Sequence, residues 1–180
     1  MVQSILDGRK TQTRRVIKPQ PEVSAEGYLM GEWLKKPLAG LLLPKLQDIT
    51  IHCPFGKIGD RLWVRETFMR IESAYLKYGK IIYKADYISS KTKDGSPVGW
   101  KSPIFMSKLL SRITLEITNI SVERLQDISD EDAVSEGVDR TNTSISGYAS
   151  ERYKRLWESI NGKGSWNDNP YVWRIEFRRV

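Results

Sequence analysis

Residues 8–15 read Gly-Arg-Lys-Thr-Gln-Thr-Arg-Arg: four cations, two threonines and no acid. Just ahead of them, Val2, Ile5 and Leu6 share one helical face over residues 1–7, and Gly8 suits the position just past a helix end. The segment therefore leaves a short helix as a loop or as the start of a strand. Beyond it, Pro19, Pro21, Pro37, Pro44 and Pro54 forbid long regular elements over 19–57, an excursion too short for a core of its own. Gly59-Asp60 is a turn signal. The stretch from Arg61 to Ile71 then alternates as a strand, with Leu62, Val64, Glu66 and Phe68 on one face and Trp63, Arg65, Thr67 and Met69 on the other.

Lys80 to Asp86 predicts a second strand, residues 88–103 an exposed loop, and Ile113 to Val122 a strand with a bulge near Asn119. Ser129 caps a short helix that runs through Glu136, with Asp132 completing a capping box and Gly137 ending it. The clearest helix covers 148–160, where Tyr148, Ala149, Tyr153, Leu156, Trp157 and Ile160 share one side. Tyr171 to Arg178 closes the chain as an alternating strand. The sum is an α+β domain spanning 1–180: a mostly antiparallel sheet curled into a small barrel, with two or three flanking helices.

The chain has 29 Lys and Arg against 22 Asp and Glu, a formal net charge of +7. That balance favours a polyanionic partner, RNA or DNA being the usual one. The charge is unevenly placed: residues 8–18 carry Arg9, Lys10, Arg14, Arg15 and Lys18 and no acid, whereas 127–136 carry Asp127, Asp130, Glu131, Asp132 and Glu136 and no base. Each run, taken alone, reads equally as a solvated face. No apolar run approaches the length of a membrane span, and the first eight residues mix polar and apolar side chains unlike a secretory leader. A cytoplasmic chain without a membrane partner is expected. The single cysteine, Cys53, has only His52 beside it as a soft ligand, so neither a disulfide nor a metal site is expected.

A lysine at its ordinary pKa near 10.4 is ammonium at neutral pH and no base. Lys10 is crowded by Arg9, Arg14 and Arg15, which penalise its charged form. Thr13, three residues on, lies on the opposite face of a straight strand, so the two side chains meet only if the segment turns. A neutral Lys10 in reach of the Thr13 hydroxyl makes it a nucleophile. Basic loops with threonines hold phosphate more often than they cleave bonds, so the residues alone leave catalysis and anion binding both open. Glu66 stands on the apolar face of its strand, where a carboxylate is costly unless an arginine pairs it or a polar pocket solvates it.

The stretch 8–15, followed by Gly59-Asp60-Arg61-Leu62-Trp63-Val64 and by the closing Ile175-Glu176-Phe177, resembles the ASCH domain family, whose members are PUA-like β-barrels. The helix from Ile128 to Gly137 and Tyr171-Val172-Trp173 also look like ASCH-containing proteins of phages and prophages. Against a minimal ASCH domain, about 19–57 and 86–104 are expansions. The resemblance implies two activities for one cleft lined by the basic segment. One is hydrolysis of the N4-acetylcytidine amide by a Lys, a Thr and a Glu, falling on Lys10, Thr13 and Glu136, with no cofactor. The other is RNA or nucleoside binding, some relatives being similar to ribonucleases. In either case Arg9, Thr11, Arg14, Arg15, Trp63, Arg65 and Glu66 are the expected ligand contacts. An interaction module built on the acidic helix and the 88–103 loop is a third possibility.

Overall fold

Gly8, at φ +72°, lies just past helix α1 (Val2–Leu6) and lets the chain turn into strand β1 (Gln12–Val16). The computed structural model describes residues 1–38, 40–71, 80–86, 99–139 and 148–180. Further along come the short β2 (Glu22–Val23) and β3 (Leu29–Met30), β4 (Arg61–Trp63), β5 (Phe68–Ile71), β6 (Lys80–Tyr83) and the long β7 (Thr114–Arg124). Helices α2 (Asp130–Ser135) and α3 (Tyr148–Asn161) precede the closing β8 (Tyr171–Arg179). The fold is α+β, with few helices and a curled antiparallel half-barrel sheet of strand order β1-β8-β7-β4. Two hairpins, β2-β3 and β5-β6, stand apart from it.

The chain divides into two compact units, one of Gln3–Asp60 with Glu116–Arg178 and Met1, the other of Arg61–Leu115 with Val2, Arg179 and Val180. In the first unit β1 pairs antiparallel with β8, Thr13 opposite Ile175 and Arg14 opposite Arg174. Helices α2 and α3 cover a core of Leu125, Ile128, Ala133, Val138, Ala149, Tyr153, Trp157 and Val172. Each fully buried side chain of that size contributes about 1.5–3 kcal/mol from lost water contact. The proline-rich excursion adds to the first unit's interior: Trp33 and Ile49 are buried, and Trp33 meets the edge of Trp173 at 6.2 Å. His52 hydrogen-bonds the Pro37 carbonyl, and Cys53 is buried.

Two sequence expectations need correction here. The strand over 61–71 is two strands, β4 and β5, because the chain leaves the sheet after Trp63. The Glu66 amide takes the Met106 sulfur as acceptor and its carboxylate turns inward to Arg112. The Glu66–Arg112 ion pair thus lies in the break between β4 and β5, where alternation alone predicted a continuous strand. The capping box at Ser129 is half formed: Ser129 accepts the Asp132 N–H, but the Asp132 carboxylate is drawn to two arginines instead. Strand β7 is continuous, yet its buried side changes from Leu115 and Ile117 to Val122, a change of phase across 118–121 where a bulge was expected. The 88–98 part of the expected exposed loop lies outside the described residues. No described helix is long and apolar enough to cross a membrane.

Candidate functional site

Lys10, Gln12 and Arg14 alternate along the start of β1 and all three are buried. Backbone bonds seat them: the Lys10 N–H donates to the Ser4 carbonyl and the Thr11 N–H to the Ser135 carbonyl, so α1 and the end of α2 grip the segment from both sides. Gly137 makes the grip possible. It sits at φ +94°, and a Cβ there would come within 3.1 Å of the Ser4 Cβ and 3.2 Å of the Lys10 Cβ.

Lys10 Nζ lies 2.7 Å from Glu136 Oε2, 2.7 Å from the Glu136 carbonyl and 2.8 Å from the Gln12 carbonyl. An ammonium has three hydrogens, and all three are engaged. Burial pushes the Lys10 pKa below its ordinary value, partly opposed by the attraction of Glu136. The neighbouring cations Arg14 and Arg15 push the same way as burial, but less. Glu136 Oε1 accepts at 3.4 Å from both the Tyr153 hydroxyl and Arg14 Nη1. Burial raises the Tyr153 pKa, and the nearby Glu136 charge adds to the rise.

Arg14 is tied into the protein by its guanidinium. Its side chain has no exposed surface, and it donates to Glu123 at 2.6 Å and to Asp132 at 2.8 Å. Burial works against its charge, but Glu123 and Glu136 more than offset that and raise its pKa. Its cross-strand neighbour is Arg174, and like charges directly opposite destabilise a sheet. Asp132 relieves the conflict with one oxygen on each: Oδ2 on Arg14, Oδ1 on Arg174 at 3.0 Å. Lys10 and Arg14 of the basic run at 8–18 and Asp132 and Glu136 of the acidic run at 127–136, each run readable from sequence as a solvated face, thus join in one internal network. The acidic helix turns Asp132 and Glu136 inward, which takes them from any partner surface.

Of the other basic-segment residues, Arg9 pairs with Asp7 at 3.1 Å, and Thr11 is exposed. Arg15 is exposed and donates from Nη1 to the Thr13 hydroxyl oxygen at 3.0 Å. Lys10, Thr13, Arg14, Arg15 and Glu136 line one pocket of about 340 Å³, whose apolar wall includes Tyr153, Leu156 and Trp157. That volume falls within the range of small-molecule sites. The Trp157 Nε1–H is buried and has no acceptor among the described residues. Lys10 and Thr13 share the pocket without a hydrogen bond to each other, since the three Lys10 bonds go elsewhere.

Trp63, Arg65 and Glu66 belong to the second unit. Glu66 is buried, and Arg112 takes both its oxygens, at 2.9 and 3.0 Å, so the arginine-paired reading of its carboxylate holds. The Glu66 hydrogen bonds are the largest influence raising the Arg112 pKa. Arg65 stacks on the Trp63 ring at 4.8 Å. Sequence reasoning missed Gln12, Glu123, Tyr153 and Arg174 as network members. The signal available for the last was an arginine alternating with aromatics in the closing strand. No cluster of three or more potential metal ligands occurs among the described residues. No family model, curated protein or solved structure matches the chain.

Proposed function

We propose that the chain is an ASCH-type, PUA-like domain whose pocket takes a modified nucleoside and hydrolyses the amide of an N4-acylated cytidine. The observation that carries this reading is the buried Lys10–Glu136 contact of 2.7 Å in one pocket with the Thr13 hydroxyl. A lysine of lowered pKa joined to a carboxylate is a proton relay. Nζ exchanges one carbonyl contact for Thr13, takes the hydroxyl proton and passes a proton of its own to Glu136 Oε2. Thr13 Oγ1 attacks the acyl carbon, and Arg15, donating to that oxygen, favours its developing negative charge. The carbon–nitrogen bond breaks as the relay returns the proton to the leaving amine. Water then attacks the threonine ester, giving up its proton by the same route, and the acid leaves with the Thr13 hydroxyl restored. The ring of the base packs on the apolar wall.

A second reading, a nucleoside- or RNA-binding module without chemistry, is favoured by the full engagement of the Lys10 ammonium. Incubation with N4-acetylcytidine separates the two. Acetate release that Thr13→Ala abolishes supports hydrolysis. Saturable binding of the nucleoside with its acetyl group intact supports the module.

A further inference from the structure

Residues 61–115 contain eleven Lys and Arg against four Asp and Glu, a surplus of seven that equals the formal net charge of the whole chain. Everything outside that stretch is formally neutral, eighteen basic residues against eighteen acidic. The cationic segment at 8–15, where a polyanion was expected, is largely satisfied internally by Asp7, Glu123, Asp132 and Glu136. The chain's attraction for polyanions therefore originates in its second unit.

Within that unit the two described acids, Glu66 and Asp86, are both held by Arg112. Among the described residues no carboxylate lies within ion-pair distance of Lys101 or Lys108, and both side chains are exposed. A pocket of about 580 Å³ opens here, lined by Phe68, Arg70, Trp100, Lys101, Phe105 and Leu110. Phe105 is 73% exposed, which is costly for a phenyl ring and unusual beside a second large aromatic. The walls are held by backbone: Phe68 and Lys101 exchange hydrogen bonds of 2.8 and 3.2 Å. The Arg65 guanidinium, stacked on Trp63, donates at 3.2 Å to the Ile104 carbonyl next to Phe105.

From these features we infer that the pocket of the Arg61–Leu115 unit binds single-stranded nucleic acid, stacking a base on Trp100 and Phe105 and meeting its phosphates with Lys101. Aromatic faces beside cations suit a strand whose bases are unstacked and free to turn outward. A duplex hides those faces, and an acidic peptide has nothing to stack. This site is separate from the Lys10 pocket and stands or falls without it.

The test uses the whole protein and fluorescently labelled single-stranded RNA and DNA oligonucleotides of mixed sequence, titrated at several salt concentrations. Binding should weaken linearly on a log–log salt plot, and Lys101→Gln should lower the slope by roughly 0.7. Phe105→Ala, at an exposed position that leaves folding intact, should weaken binding about tenfold and leave the slope unchanged. The inference is overturned if no oligonucleotide binds at low salt or if Phe105→Ala binds as tightly as the parent. Equal affinity for a duplex, or a preference for phosphatidylserine vesicles over oligonucleotides, also overturns it.

Discussion

Lys10 Nζ lies 2.7 Å from Glu136 Oε2, across 126 positions of chain, and both side chains are buried. Two charges removed from water at this separation are costly to place and more costly to separate. Lys10→Ala should therefore lower stability by about 3–5 kcal/mol, read as a loss of urea midpoint. Tests of chemistry belong on Thr13, whose half-buried hydroxyl carries less of the fold.

The lowered Lys10 pKa fixes the pH dependence of any reaction it serves as base. Activity needs the neutral amine, so it should rise with pH and level off below the ordinary lysine value of 10.5. Initial rates of acetate release across a pH series check this. A rising limb centred at or above 10.5 would remove Lys10 from the role of base.

Arg14 and Asp132 should behave as structural residues. Asp132→Ala leaves Arg14 and Arg174 facing each other across β1 and β8 without their shared carboxylate. Loss of these charged hydrogen bonds should cost about 1.5–3 kcal/mol each. Arg14→Lys should also destabilise, because one ammonium cannot reproduce a guanidinium spread over Glu123, Asp132 and Glu136. Thermal melts of the three proteins give the comparison.

Gly137→Ala tests the close approach that seats Lys10. The backbone there is left-handed, at φ +94°, and the new methyl would press on Ser4 and Lys10 at 3.1 and 3.2 Å. A loss of about 1–3 kcal/mol is expected from overpacking, with the left-handed strain added to it. The equivalent change at Gly162, where a Cβ meets nothing within 4 Å, should show the strain without the overpacking.

Tyr153 predicts alkaline behaviour. Its pKa is raised in the folded chain, chiefly by burial, so the folded state holds the phenol proton after the unfolded state has lost it. The resulting stability is complete below the ordinary tyrosine value of 10.0 and is lost progressively as pH climbs above it. Tyr153→Phe should remove that part of the alkaline decline in melting temperature.

Much of this was legible in the sequence, for physical reasons that differ by element. Gly8, Ser129 and Gly137 mark helix boundaries because capping and left-handed backbone are local properties. The closing strand announces itself because Trp173, Ile175 and Phe177 alternate. Alternation failed at 64–67, between β4 and β5, where Glu66 pairs with Arg112 over 46 positions, a contact that leaves no local trace. The same limit hid the network. Five acids and five bases read as two solvated faces until the β1–β8 register put Arg14 beside Arg174, with Asp132 bridging them. Lys10 and Thr13 were paired from their residue types and spacing, whereas Glu136 came from the resemblance alone, since spacing gave no reason to join position 136 to position 10.

One comparison bears on the proposed chemistry more directly than the rest: proton NMR of N4-acetylcytidine with the parent protein, Thr13→Ala and Thr13→Ser. The parent should release acetate and cytidine in equal amounts, Thr13→Ser should retain part of the rate, and Thr13→Ala should bind the nucleoside and leave its acetyl group in place. A folded parent that leaves the amide untouched, or a Thr13→Ala protein that cleaves it at the parental rate, would contradict hydrolysis through Thr13.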